Sequence, residues 1–374
     1  MDKLSTILIA IVILFSNCKK SSSTPPDNKG YEFSELVDYG EIPYVTEATP
    51  HQMIYYNSQL FAGTDDGIWK TDLTNKTWSR TGLDGKAIIG LYNFPEMANR
   101  LFAATKSTGA SDKSLYQSNN GGASWEPVTA PIFDSLNKRY ENYYDIKVRP
   151  GFPDQLYANV EGVTIAISKD GGQTWNRQNY ERSSTFGYNA FINFLPGNSN
   201  EIFQGAEAPL DFAWLAKYHI NENDPVKLGP WQRIIGNNLE WSNKRPNCIE
   251  VFPSNPAVMY VGMEGGVAKV EGTQWSYLFE GGKEPDHFPY TYVKGIWLDP
   301  GNNKHLIFGG GVNGVNTSLS LYETHDEGAT IVQLKDLLGM EDPEIVTIVS
   351  TNPYPALLVR IRGGNKRTRL LVYR

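Results

Sequence analysis

Short apolar runs recur along this chain with a fixed punctuation. An apolar run ends in proline, a short polar turn follows, and a second apolar run ends in a small residue. Phe94-Pro95 leads to Leu101-Phe102-Ala103-Ala104, and Arg149-Pro150 to Leu156-Tyr157-Ala158-Asn159. Leu195-Pro196 leads to Ile202-Phe203-Gln204-Gly205, Phe252-Pro253 to Met259-Tyr260-Val261-Gly262, and Asp299-Pro300 to Leu306-Ile307-Phe308-Gly309. A weaker copy joins Asn352-Pro353 to Leu357-Leu358-Val359, and the first copy keeps only Leu60-Phe61-Ala62-Gly63. Runs this short, bounded by turn formers, predict strands rather than helices. The prolines at 95, 150, 196, 253, 300 and 353 lie 55, 46, 57, 47 and 53 residues apart, room for four short strands and their turns per unit.

A second phrase closes the units. Ser168-Lys169-Asp170-Gly171-Gly172-Gln173-Thr174-Trp175 fits Ser-x-Asp-x-Gly-x-Thr-Trp in full. Ser118 to Trp125 repeats it with Asn120 in place of Asp and with Gly122 kept, and Thr324 to Ile331 keeps Asp326 and Gly328 but not the Trp. Decayed copies end at Trp78 and Trp275, and Trp231 holds the same place in a unit with no box left. This phrase resembles the Asp-box, or BNR repeat, of sialidase-like β-propellers. Its residues are those a hairpin needs: a short carboxylate or amide to accept backbone N–H groups, a glycine for φ > 0, and a large aromatic to pack between sheets. In the resembled families the box lies away from the ligand face, so a structural role is expected for Ser118, Asn120, Gly122, Trp125, Ser168, Asp170, Gly172, Trp175, Asp326 and Gly328.

Six complete units fall near residues 49–85, 86–131, 142–182, 188–236, 245–282 and 291–339. Three strands remain at the end of the chain, around 344–349, 357–361 and 370–373, and one apolar segment, Tyr31 to Val37, remains at its start. Pairing the two completes a seventh unit and removes the exposed sheet edges. The expected fold is therefore all-β: a seven-bladed β-propeller of four-stranded blades, the ring closed by an N-terminal strand on the C-terminal ones.

Composition narrows the class further. With 16 Phe, 21 Tyr and 9 Trp, the chain is too rich in aromatics to be disordered as a whole. A net charge of −7 and a pI near 5.4 disfavour a nucleic-acid partner.

The first thirty residues read as an address. Lys3 precedes a nine-residue apolar core from Ile7 to Phe15, too short to span a bilayer of ~30 Å but suited to a signal peptide. Leu14-Phe15-Ser16-Asn17-Cys18 resembles a bacterial lipobox, which implies lipidation at Cys18. Residues 1–17 are then a signal peptide, 18–30 a Ser/Pro-rich flexible tether and 31–374 the propeller. Position 19 is Lys, not the Asp that resembles an inner-membrane retention signal, so an outer-membrane anchor, in a bacterial envelope and on a monomer, is expected. Cys248, in an apolar strand, is expected to be a buried thiol.

Binding residues are sought on the loops opposite the boxes. Two residues past each second strand stand Asp65, Lys106, Glu161, Glu207, Glu264, Gly311 and Gly364. Glu is a poor turn former, so the three Glu suggest an acidic ring about the channel mouth. Lys106, Lys113, Arg362, Lys366 and Arg367 lie across from it, and aromatics gather between blades: Tyr140, Tyr143, Tyr144, Trp241 beside Arg245, then His287, Phe288, Tyr290 and Tyr292. Trp241 in a polar loop suits stacking on a sugar or gripping a protein.

Enzyme readings meet gaps. Sialidases carry Arg-Ile-Pro near the first blade, whereas this chain has Glu41-Ile42-Pro43. Glu264 with Asp65 is the available glycosidase-like acid pair, and His287, Tyr290 and Arg245 the available lyase-like set. The five histidines lack ligand-pair spacing, and Gly309 to Gly314 lacks the Lys-Ser/Thr of a phosphate loop, so no metal and no cofactor are expected. The leading expectation is a lipid-anchored, non-enzymatic propeller that binds a glycan or an envelope protein on its loop face. A glycoside hydrolase or polysaccharide lyase on that face, and a scaffold resembling the photosystem-assembly Asp-box propellers, are the alternatives.

Overall fold

A computed structural model describes residues 35–43, 52–162, 164–178, 188–207, 213–221, 224, 228–235, 244–281, 290–313, 320–334, 340, 343–351, 354–361 and 367–374. Seven four-stranded antiparallel sheets follow one another, with one small two-stranded hairpin at Phe133–Asp134 and Arg139–Tyr140. The inner strands of blades 1 to 7 are Met53–Tyr56, Ile88–Asn93, Tyr143–Arg149, Tyr188–Phe194, Pro246–Val251, Tyr290–Leu298 and Pro343–Ser350. Each inner strand touches the next around the ring, and the seventh touches the first, so the ring is closed.

Closure comes from both ends of the described chain. The outer strand of blade 7 is Leu36–Glu41, paired antiparallel to Arg367–Tyr373 with Leu36 opposite Tyr373 and Val37 opposite Val372. The strand thus lies further along the chain than Tyr31 to Val37. The reason is packing: Tyr39 and Ile42, each 2% exposed, are the residues that enter the core between blades 7 and 1. Residues 1–34, which hold Cys18 and the tether, lie outside the described residues.

Each blade interface has its own apolar cluster. Phe61 and Ile68 of blade 1 meet Ile88 and Leu101 of blade 2, and Phe252 and Tyr260 of blade 5 meet Ile296 and Phe308 of blade 6. A blade sandwiched on both faces cannot alternate apolar with polar, which is why its strands read as unbroken apolar runs. Crowding near the axis explains the small residue that ends the second strands. A Cβ on Gly63 would fall 2.6 Å from Ile88 Cγ2 of the next blade, where only glycine fits.

The box turns lie between the third and outer strands. Ser168 Oγ accepts the Gly172 N–H at 2.8 Å and donates to Asp170 Oδ1 at 2.8 Å, while Asp170 Oδ1 accepts the Thr174 N–H at 2.9 Å. Ser118 with Asn120, and Thr324 with Asp326, make the same bonds to Gly122 and Ser124 and to Gly328 and Thr330. Gly172 has φ +89°, which its side chain-free backbone permits. Trp125 packs into the cluster between blades 1 and 2, and Trp175, 6% exposed, into that between blades 2 and 3.

Candidate functional site

Antiparallel order puts the turns between second and third strands, and the links between blades, on one face; the box turns lie on the other. Below the first face a cavity of about 640 Å³ runs into the channel, lined by all seven inner strands. A second, of about 720 Å³, continues toward the box face, and Lys147 and Glu250 line both.

The inner strands aim their side chains into this channel through a repeated irregularity. In six of them the pairing slips by one residue at the same height: between Ile88 and Gly90, Tyr143 and Asp145, Asn189 and Phe191, Pro246 and Cys248, Val293 and Gly295, and Ile345 and Thr347. Each slip is a β-bulge, which turns an extra residue out of the sheet. Four of those extra residues, Tyr144, Asn247, Lys294 and Val346, line the upper cavity.

Charge surrounds them. Lys294 Nζ lies 2.8 Å from Glu344 Oε1, Tyr292 donates to the same oxygen at 2.9 Å, and Arg360 Nη1 stands 3.6 Å from Glu344 Oε2. Glu344 is 1% exposed, so this carboxylate is a buried counter-ion to cations that face the cavity. Arg360 Nε is buried with no hydrogen-bond partner among the described residues. Lower down, Lys147 pairs with Asp145 at 3.0 Å, and Asp145 also accepts the Ile192 N–H at 2.9 Å. Glu250 is accessible from the channel yet walled in by the ring. That enclosure pushes its carboxyl up to about 7, Lys147 opposing and Asp145 adding to the rise. Enclosure likewise raises the Cys248 thiol, which is half-buried on the cavity wall rather than sealed in the core.

The acids sought on the loops do not line this cavity; the structure brings Glu207 and Glu264 near each other, and each of the others has its own surroundings. Both oxygens of Glu161 accept from Arg139, and Asn142 donates to Oε1 at 2.6 Å. Glu264 pairs with Arg245 at 3.2 Å. Glu207 is the last residue of its strand; burial raises its carboxyl and the neighbouring Glu264 adds to it, with Arg245 opposing. Burial raises Glu264 too, again against Arg245. Asp65 begins the turn after Thr64, and the adjacent Asp66 pairs with Arg80. Gly311 belongs to the strand Leu306–Asn313, which continues past the apolar run Leu306 to Phe308 through three glycines, so blade 6 has no turn there.

The aromatics divide. Tyr143 is a fully buried core residue whose hydroxyl oxygen accepts the Ile132 N–H at 3.0 Å. Tyr140 accepts from Lys113 at 2.6 Å at the rim. Tyr290 opens the inner strand of blade 6 opposite Asn313. Trp241, His287, Phe288, Arg362 and Gly364 lie outside the described residues. Sequence reasoning missed Lys294, Glu344, Arg360 and Tyr144 as a group, because a bulge breaks the two-residue period on which strand faces are read.

No protein-family model matches this sequence, and no curated protein matches it either. Solved structures do. The GH74 enzyme of Niastella koreensis aligns with TM-score 0.60 at 14% identity, over 90% of this chain and 55% of that one, so this chain spans about half the length of that enzyme. YCF48 bound to a D1 peptide aligns with TM-score 0.56 at 14% identity, over 88% of this chain and 97% of that one. The extracellular domain of BT4673 from B. thetaiotaomicron aligns with TM-score 0.60 at 12% identity, over 91% of this chain and 40% of that one. These likenesses establish the fold: a seven-bladed propeller of the kind found in an enzyme, in a peptide-bound YCF48 and in the extracellular domain of BT4673.

Proposed function

We propose that this chain is a non-enzymatic recognition propeller, held in a bacterial envelope by a lipid on Cys18, that grips a segment of a partner protein at the channel mouth. The observation that carries the reading is the bulge ring. Six inner strands give up a ladder position at one height, and the residues so released include Tyr144, Asn247 and Lys294 on the cavity wall. Bulges gather where a protein re-aims side chains for a task. The chemistry offered is alternating rather than purely acidic: Arg245, Lys294 and Arg360 face the cavity with Glu264 and Glu344 behind them. Such a wall suits a peptide carrying a carboxylate, and the likeness to YCF48 with a bound D1 peptide supports a protein ligand.

A second reading rests on Glu207 and Glu264, whose charges are close enough to act on each other and whose carboxyls both rise. A raised acid beside a paired carboxylate is the pattern of a glycosidase. One experiment separates the two. The chain from residue 31 is screened against arrays of envelope-protein peptides and of glycans, and any glycan bound is then incubated and its products analysed. Acidic peptides that bind, and bind at least tenfold more weakly to Lys294→Met, support peptide recognition. Binding to glycans alone overturns it, and new reducing ends from a glycan, lost in Glu207→Gln, establish the hydrolase.

A further inference from the structure

On the opposite, box-bearing face, blade 6 gathers three side chains that the proposed recognition site does not use. His305 immediately precedes the second strand, Glu323 belongs to the third strand Ser320–Thr324, and His325 is the first residue past it. Pairing of Leu306 with Thr324 sets the two histidines across from each other. Their rings stack with centroids 4.1 Å apart. Both imidazoles turn Nε2 toward one oxygen: His305 lies 2.9 Å and His325 3.3 Å from Glu323 Oε1. All three donor atoms lie within 4.8 Å of one another.

A hydrogen-bonded ion pair accounts for only part of this. His305 alone would satisfy the Glu323 oxygen, and the box turn needs Thr324 and Asp326 but not position 325. The spacing has another meaning. In a tetrahedral zinc site with bonds of about 2.0–2.1 Å, donor atoms stand about 3.3 Å apart; here Glu323 Oε1 is 2.9 and 3.3 Å from the two Nε2 atoms, so a small outward shift of the exposed His325 opens room for the ion. The outer shell agrees. Asp299, fully buried, sits 2.8 Å from His305 Nδ1, so a proton kept on Nδ1 has its acceptor and Nε2 can give up its own proton to bind a metal in place of its bond to Glu323. A carboxylate behind a histidine is the usual support of a metal ligand. Trp297 packs edge-on against the other side of the ring at 5.3 Å and holds it in place. The set is graded from inside to outside: His305 is 0%, Glu323 15% and His325 57% exposed at the side chain.

We propose that His305 Nε2, Glu323 Oε1 and His325 Nε2 bind a zinc-type divalent ion, with water in the fourth position on the His325 side. Imidazole and carboxylate together suit zinc and its transition-metal neighbours, whereas magnesium and calcium prefer oxygen-only shells. The purified protein, stripped with chelator, is titrated with Zn²⁺ by calorimetry alongside His325→Ala and Glu323→Gln. His325 is exposed, so its loss leaves the fold intact, checked by an unchanged melting temperature without metal. The expected result is one Zn²⁺ per chain, bound at least tenfold more weakly by each variant and not displaced by excess Mg²⁺. Absence of stoichiometric Zn²⁺ binding by the wild type, or His325→Ala binding as tightly as the wild type, overturns the proposal.

Discussion

Arg139 and Glu161 meet side by side, two guanidinium nitrogens against two carboxylate oxygens at 2.8 and 2.7 Å. The pair does more than decorate a rim. Asn142 donates to Glu161 and accepts the Ser107 N–H at 2.9 Å, so one carboxylate ties the loop of blade 2 to the turn of blade 3. Arg139→Lys keeps the charge but loses the fork. Because the pair is partly exposed, the expected cost is about 1 kcal/mol, read as a lower urea midpoint with the slope unchanged.

Asp170→Ala strikes the full-length box. It removes the acceptor for the Thr174 N–H and hydroxyl and for Ser168, at an expected cost of about 1–2 kcal/mol. Ligand binding at the far face is expected to persist; its loss with the melting temperature unchanged would overturn the structural role. The same residue predicts an acid limit. Burial alone would raise its carboxyl, but the bonds from Thr174 and Ser168 outweigh that and hold it below the usual 3.8. Its contribution is complete above pH 3.8 and disappears as pH falls through the lower folded value, so acid titration of wild type and Asp170→Ala should converge there.

Glu250 predicts the opposite slope. Its folded carboxyl is raised from 4.5 to about 7, so the folded protein holds that proton more tightly than the unfolded chain. The stabilisation is full below pH 4.5 and is lost as pH rises to about 7. Melting curves of Glu250→Gln should therefore be flatter than wild type between those values. Parallel curves would show that the channel does not enclose this acid.

Two ion pairs should behave very differently. Glu344→Ala leaves Lys294 and Arg360 without their buried counter-ion, and an expected loss of about 3 kcal/mol follows. Lys169 and Asp224 stand 3.4 Å apart with the lysine side chain 46% exposed, so Lys169→Ala should change stability by less than about 0.5 kcal/mol. Denaturant melts of both variants make the comparison.

Seven blades were legible because turn chemistry and strand punctuation are local: Pro95, Gly63 and the Ser168 to Trp175 box each carry their meaning within a few residues. What escaped depends on register between strands. Lys294 faces the channel only because the pairing slips between Val293 and Gly295. His305 and His325 are twenty positions apart in sequence and adjacent only because Leu306 pairs with Thr324. That signal was available in principle, since a hairpin places residues equidistant from its turn opposite each other. Asn313-Gly314 marks such a turn, but the pairing register of the strands on either side of it is not written in their sequence. The closing strand shows the same limit: Leu36–Glu41 is chosen by the fit of Tyr39 and Ile42 in the core, which no apolar count reveals.

The pairing of Leu36–Glu41 with Arg367–Tyr373 also sets a clock on folding. Blades 1 to 6 are each built from consecutive residues and can form as the chain emerges. Blade 7 must wait for strands that lie at opposite ends of the sequence, and until they meet the ring has two bare edges. Ring closure is thus the late, long-range event, and a ribosome still holding Arg367–Tyr373 would keep the propeller open.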